Sequence, residues 1–301
     1  MIADAALPMT RTGTFPPETL ATELAHHGVL TPEDDWTPLP DRRGMRLWRV
    51  DRSSAPSLTV KLYTVSEPDP LFADDPAVDA EILEHLAARQ LAPRLVFRCS
   101  TPLGICLVHE DVPGAPQRSG AFLVARALHK LHGTLQPACL RQAPDGSDEL
   151  AEQTGAILSD CASPAATAAR NLAPQGKVPP LQRPVLLHGD PVPDAMIVTE
   201  TGFRWTGLGS AASGDPCTDL ALFLSPAMQV LRGATPLGRA ERAAFLASYP
   251  CQQTVARYRT LAPWYHWRML AYCLWRHERG DALARHAVRA EETGLKQSQL
   301  V

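Results

Sequence analysis

The sequence predicts an α+β protein of two lobes, a small strand-rich one first and a larger helical one after it. Three observations point there. Alternating apolar and polar residues, the mark of half-buried strands, cluster before residue 110. Helical periodicity dominates from Pro216 onward. Between them, two short apolar runs flank one tight loop. Strands and helices segregated in this way argue for α+β and against a βαβ alternation. No G-x-G-x-x-G is present to suggest a dinucleotide-binding fold.

Pro16 to Gly28 reads as a short helix. Two prolines suit its first turn, Glu18 complements its N-terminal dipole, Leu20 and Leu24 share a face, and Gly28 can stop it. Met45–Val50 and Leu58–Tyr63 alternate like strands, with the polar turn 51–56 between them. Val60 and Leu62 then share one face and Lys61 takes the other. Pro40–Met45 forms the loop between the first two strands. Pro76 to Gln90 is helical, with Val78, Ile82, Leu83, Leu86 and Ala87 as its apolar stripe.

Arg94–Phe97 and Gly104–Val108 are two further strands, and Glu110–Gly114 is a turn. Ala121–His132 is a helix, and 133–180 is mixed. Pro184–Leu187 and Ala195–Val198 are short strands, and Phe203–Leu208 is expected to pair with them. From Pro216 the chain is helical, with breaks expected near Pro226, Pro236, Pro250 and Pro263.

Bulk properties exclude several classes of function. The 301 residues suffice for two modest lobes, and 45% hydrophobic with 20% charged residues is ordinary for a globular protein. A net charge of −3 gives no footprint for nucleic acid. Seven scattered cysteines without C-x-x-C spacing argue for reduced, mostly buried thiols rather than a zinc or redox site. No apolar run is long enough to span a bilayer, and Met1–Arg11 lacks a signal-peptide pattern. The expectation is a cytoplasmic protein with no membrane or nucleic-acid partner.

The chemistry concentrates in Val185-Leu-Leu-His-Gly-Asp-Pro-Val-Pro-Asp-Ala-Met-Ile-Val198. A strand delivers His188-Gly189-Asp190 into a loop and a second strand leaves it. A carboxylate at such a junction can orient a hydroxyl and accept its proton. Upstream, Lys61 sits on a strand and Glu81 on the following helix; downstream lies Gly214-Asp-Pro-Cys-Thr-Asp-Leu-Ala221. A plainer reading exists for each: a loop-capping role for Asp190, a structural ion pair for Lys61 and Glu81, and a hydrogen-bonded brace for His188.

In order and spacing these motifs resemble the aminoglycoside phosphotransferase and choline kinase-like family. Leu107–Gly114 looks like its hinge, and Leu128-His-Lys-Leu-His132 like its helix ending in L-H. The resemblance covers roughly residues 30–280. It implies a bilobal protein-kinase-like fold, with an N-lobe over 1–113 and a helical C-lobe over 114–301. It implies Asp190 as catalytic base, Lys61 on nucleotide phosphates, Glu81 holding Lys61, and the backbone from Glu110 to Val112 against adenine. Asp215 and Asp219 would cap and brace the loop. ATP and magnesium are the cofactors it brings with it, and a small molecule in the interlobe cleft is the expected partner, with a protein partner also open.

The departures from the pattern fall together. Where the family has a magnesium-binding Asn, five residues after the catalytic Asp, this chain has Ala195. Where it has an Asp, seven before the G-D-P glycine, this chain has Gly207. Magnesium needs oxygen ligands, and neither side chain has one. Asp194 is the remaining candidate ligand. In Pro40–Met45, Asp41 would repel phosphate while Arg42 and Arg43 would attract it.

The resemblance with these departures implies a pseudokinase-like protein with weak or no magnesium-ATP phosphotransfer. Its cleft would be kept for ligand binding, regulation or non-kinase acid–base chemistry. The alternative is an active ATP-dependent small-molecule kinase that phosphorylates a hydroxyl, with Asp190 as base and Asp194 as substitute metal ligand. Trp264, Trp267 and Trp275 read as core before they read as a cation cage. The arginines at 257, 259, 268, 276, 279, 285 and 289 argue against a polyamine substrate.

Overall fold

Alternation along the first strands sets the architecture of the first unit. In the computed structural model, which describes residues 16–64 and 67–298, this unit comprises the described residues up to Asp69, then Ala73–Pro116 and Ile197–Gly209. The N-terminal stretch read above for a targeting signal lies outside the described residues. Strands β1 (Asp35–Arg42), β2 (Met45–Arg52), β3 (Ala55–Tyr63), β4 (Leu95–Thr101) and β5 (Gly104–Glu110) form one antiparallel sheet in the order β1-β2-β3-β5-β4.

Helix α1 (Glu18–His26) buries Leu20 and Leu24 against one face, with Trp48, Val50, Leu58, Val60 and Leu62. Helix α2 (Pro76–Ala87) brings Ala80 to a second cluster with Met45, Leu47, Tyr63 and Leu107. The period of two along β3 therefore puts Val60 and Leu62 under α1 and Lys61 and Tyr63 on the α2 side.

The turn between β1 and β2 is shorter than expected. Pro40, Asp41 and Arg42 belong to β1, leaving Arg43–Gly44 as the turn. Pro38 and Pro40 sit in a strand because β1 lies at the sheet edge, where a missing N–H costs no ladder bond.

A second, smaller sheet has the order β6 (Ala115–Pro116), β8 (Met196–Thr199), β9 (Gly202–Trp205). The strand β7 (Val185–Leu187) does not join it, contrary to the expected three-way pairing. It pairs instead with β10 (Ala212–Gly214). Pro191 and Pro193 cannot donate to a ladder, and the 3-10 turn Pro193–Ala195 redirects the chain between β7 and β8.

The second unit takes in Pro70–Phe72, Gln117–Met196 and the described residues from Ser210 on. Its helices are α3 (Ala121–His132), α4 (Gly146–Ser159), α5 (Pro164–Arg170), α6 (Cys217–Leu224), α7 (Pro226–Val230), α8 (Arg239–Ser248), α9 (Gln252–Glu278) and α10 (Ala284–Ser298). The long helix α9 is the axis of this unit, packed by α4, α5, α6 and α10. Pro263 lies inside it without breaking it, contrary to the break expected there. Arg259, whose carbonyl loses its helical donor, is exposed to water, and buried residues on both sides hold the helix in place.

Trp264 and Trp267 are core, and Trp267 Nε1 donates to the Ala169 carbonyl at 2.8 Å. All seven cysteines are free. No helix among the described residues is long and apolar enough to cross a membrane.

Candidate functional site

In the first unit the centre is Lys61. Its ammonium donates to Asp79 Oδ2 at 2.9 Å, and the Tyr63 hydroxyl donates to the same oxygen at 2.5 Å. The other oxygen, Oδ1, accepts the Leu208 N–H at 2.9 Å. All this is shut off from solvent, with Lys61 at 2% and Asp79 at 0% exposure. Burial alone would raise the Asp79 carboxyl, but Lys61 and the Tyr63 hydroxyl hold it below the usual carboxylate range. Burial and the adjacent Asp79 carboxylate push the Tyr63 phenol well up.

The expected partner, Glu81, is not the partner. It lies exposed on α2, while Asp79 shares the buried face with Ile82, Leu83 and Leu86. At about 100° per residue, two residues carry a side chain to the far side of a helix. The sequence signal was available: Asp79 stands three, four and seven residues before those apolar positions. A carboxylate in an apolar register needs a buried cation.

His109 faces the same ensemble. Its Nδ1 bonds the Glu110 carbonyl at 2.8 Å, and burial, with Lys61 nearby, depresses the imidazole to about 3. The ring is therefore neutral, with the proton on Nδ1 and Nε2 left as a buried acceptor without a partner. The backbone expected against adenine is largely engaged. The Glu110 N–H donates to the Arg94 carbonyl and the Asp111 N–H to the Ser57 carbonyl, each at 3.0 Å. The Glu110 side chain pairs with Arg94 at 2.8 Å, and Val112 is half-buried.

The basic pair in β1 and its turn divides. Arg43 bonds Asp74 through Nε at 2.9 Å and Nη2 at 3.2 Å. Arg42 reaches Gly207: a Cβ there would lie 2.5 Å from its Nη1. Gly207 has φ +69°, a left-handed conformation that disfavours any replacement.

In the second unit the His188-Gly189-Asp190 loop is built around Asp219. This fully buried carboxylate accepts the His188 N–H at 2.8 Å and the Gly189 N–H at 2.9 Å. His132 completes it, with Nε2 3.0 Å from Asp219 and Nδ1 2.7 Å from the Tyr249 hydroxyl. Gly189 has φ +79°, and a Cβ would fall 1.9 Å from the Ser210 carbonyl oxygen. His188 Nδ1 accepts the Asp190 N–H at 3.2 Å, so its ring braces the loop. Asp215 caps α6 through the Cys217 N–H at 2.9 Å and also binds Arg257. Gly189 and Asp219 thus shape the loop that presents Asp190, while Asp215 holds the start of α6 and Arg257.

Asp190 itself is engaged by a residue that no motif indicated. Arg232 Nη2 lies 3.2 Å from one carboxylate oxygen and 2.9 Å from the other. That guanidinium offsets the charge of the Asp190 carboxylate. Arg232 follows α7 in a Leu-Arg-Gly stretch that carries no sequence signal. It is also a wall of a cavity of about 170 Å³, with residues 191–194, Gln117, Arg118 and Leu222 among the others.

The donor set does not suit magnesium. Ala195 is fully buried in an apolar cluster with Val192, Leu222 and Met269. Asp194 forms an ion pair with Arg118 at 3.1 Å. The space beyond Gly207 belongs to a guanidinium. Among the described residues, no three His, Cys, Asp or Glu side chains are grouped to hold a metal. A hard divalent cation needs several oxygens at one point.

Solved structures share the fold. A choline/ethanolamine kinase family protein from Mesorhizobium loti superposes with TM-score 0.65 at 12% identity, covering 94% of each chain. An aminoglycoside-3'-phosphotransferase of type VIII gives TM-score 0.53 at 21% identity, over 80% of this chain and 96% of the other. A spectinomycin phosphotransferase solved with ADP and spectinomycin gives 0.55 at 13%, over 93% and 96%. No curated protein matches by sequence. The model of the phosphotransferase enzyme family matches residues 35–264, a span that holds Lys61, the braced His188-Gly189-Asp190 loop and its Asp219 buttress, and the chain belongs to that family.

Proposed function

We propose that this is a phosphotransferase-family protein with weak or no magnesium-ATP phosphotransfer, kept for binding a small molecule, for regulation or for acid–base chemistry at Asp190. The observation that carries this reading is Arg42 against Gly207. Where the family resemblance calls for a metal-binding carboxylate, the chain has no side chain and a cation packed into the space. Ala195 supports it, since an apolar pocket replaces the second ligand. Phosphoryl transfer rests on positioning and on neutralising the charge that develops in the transition state. Removing one such electrostatic contact costs about a hundredfold or more in rate.

The second reading, an active small-molecule kinase using Asp190 as base, is favoured by one feature. The His188-Gly189-Asp190 loop keeps its full bracing by Asp219 and His132. Asp194 as its substitute metal ligand would first have to leave Arg118.

Titrating ATP with and without magnesium, by thermal shift and by phosphate transfer to hydroxyl compounds, separates the two. We expect no magnesium-dependent stabilisation and no turnover. Magnesium-dependent turnover that is lost in both Asp190→Asn and Asp194→Ala would establish the second reading instead.

A further inference from the structure

The cavity of the second unit is bounded by a cation already holding one carboxylate and able to take another. Arg232 uses Nη2 on both oxygens of Asp190. Its Nε–H is shut off from water and has no acceptor among the described residues. A guanidinium presents its donors as a planar fork that matches a carboxylate or phosphate two bonds at a time. Here Nη2 is used while Nε, on the same edge of the fork, is not. Buried donors are nearly always satisfied, so an orphan on a cavity wall points to an acceptor that comes with a ligand.

The rest of the lining agrees in size and character. About 170 Å³ admits a molecule of metabolite size, not an oligosaccharide. Leu222, Phe223 and Met228 offer an apolar floor, and Gln117 and Gln229 neutral polar groups. Of the lining carboxylates, Asp194 is paired with Arg118 and Glu241 accepts the Gly238 N–H at 3.0 Å.

We propose that this cavity takes a small oxyanion-bearing alcohol, a carboxylate or phosphate monoester, and that Arg232 receives the oxyanion by exchanging it for Asp190. This rests on the reading that the Asp190 region is a ligand site, and names the class of ligand. The exchange links binding to chemistry: the arriving anion draws the guanidinium away and leaves Asp190 open toward the ligand's hydroxyl.

The test is binding to the full chain, without nucleotide or magnesium, so that its outcome is independent of phosphotransfer. The probes are glycerate and glycerol 3-phosphate, with glycerol and choline as neutral and cationic counterparts, read by ligand-observed NMR. Saturable binding of at least one anion is expected, and the stronger of the two identifies the oxyanion. Arg232→Gln should weaken that anion at least about tenfold. Asp190→Asn should tighten it, because the competing carboxylate is gone. The double variant, which removes both charges and leaves neither unpaired, should match Arg232→Gln and guards against misfolding of a single variant.

The two single effects have opposite signs, and a cation site reverses both. Choline binding strengthened by Arg232→Gln and weakened by Asp190→Asn overturns the proposal. So does anion binding that Arg232→Gln leaves unchanged, or no saturable binding of either anion.

Discussion

Asp79 shows how one side chain can tie a sheet, a helix and a loop together. Its two oxygens take Lys61 and Tyr63 from β3 and the Leu208 N–H from the segment after β9, all inside the first unit. Removing its charge leaves a buried ammonium uncompensated, which in comparable pairs costs about 3–5 kcal/mol. Asp79→Asn should lower stability to urea by that order at neutral pH, while Glu81→Gln, on the exposed face, should stay within about 0.5 kcal/mol. The sign of the pH effect follows from the depressed carboxyl. Its contribution is complete above the ordinary value of 3.8 and is lost as pH falls through the lower folded value. The gap between wild type and Asp79→Asn should therefore close in acid, and denaturation curves from neutral to strongly acid pH will show whether it does. Lys61 was legible because a strand alternates with period two. Its partner was mistaken because a spacing of about twenty residues names a helix but not a face. Asp79's place in the apolar register decides the face.

At the scale of elements, the His188-Gly189-Asp190 loop was the most legible feature and its surroundings the least. The triplet, the G-D-P-x-x-D segment and the L-H helix end converge on Asp219, which braces the loop as the resemblance implied. The strand beside β7 was unreadable, because Ala212–Gly214 has small side chains and no alternation. Arg232 was unreadable for another reason: a long side chain acting across 42 residues of sequence leaves no local pattern. The demand on Gly189 can be measured. Its φ of +79° alone would cost a substituted residue about 1–2 kcal/mol. The Ser210 carbonyl, 1.9 Å from the added Cβ, is backbone and cannot turn aside as a side chain would. Gly28, at φ +67°, has the same conformation with open space around it. Gly28→Ala should thus cost about 1–2 kcal/mol and Gly189→Ala distinctly more, in thermal or urea unfolding of the full chain. Equal losses would show that the loop yields without resistance.

For the whole molecule, the order of segments along the chain is not the order of the units. The first unit is completed by Ile197–Gly209, which arrives after much of the second unit has been made. That segment supplies several bonds within the first unit. Val198 and Ile197 pair with Ala115 and Pro116, and the Trp205 N–H donates to the Leu91 carbonyl at 2.7 Å. The Leu208 N–H fills Asp79 Oδ1, and the Gly209 carbonyl accepts the Asp75 N–H at 2.9 Å, at the start of α2. A fragment ending at Pro116 would lack all of these while keeping the five-stranded sheet and both helices. Without Leu208, Asp79 holds one oxygen buried and short of a donor, at a cost of about 1–3 kcal/mol, a large share of a small domain's stability. We expect residues 16–116 alone to show strand and helix signals by circular dichroism but broad, poorly dispersed amide resonances. Adding 197–209 through a flexible linker should sharpen the spectrum and raise the unfolding midpoint. In that fusion Leu208→Pro, which removes the N–H donor to Asp79 together with a fully buried leucine side chain, should undo the gain. A sharp native-like spectrum from 16–116 by itself would mean that the five-stranded sheet and its two helices carry the fold without the returning segment.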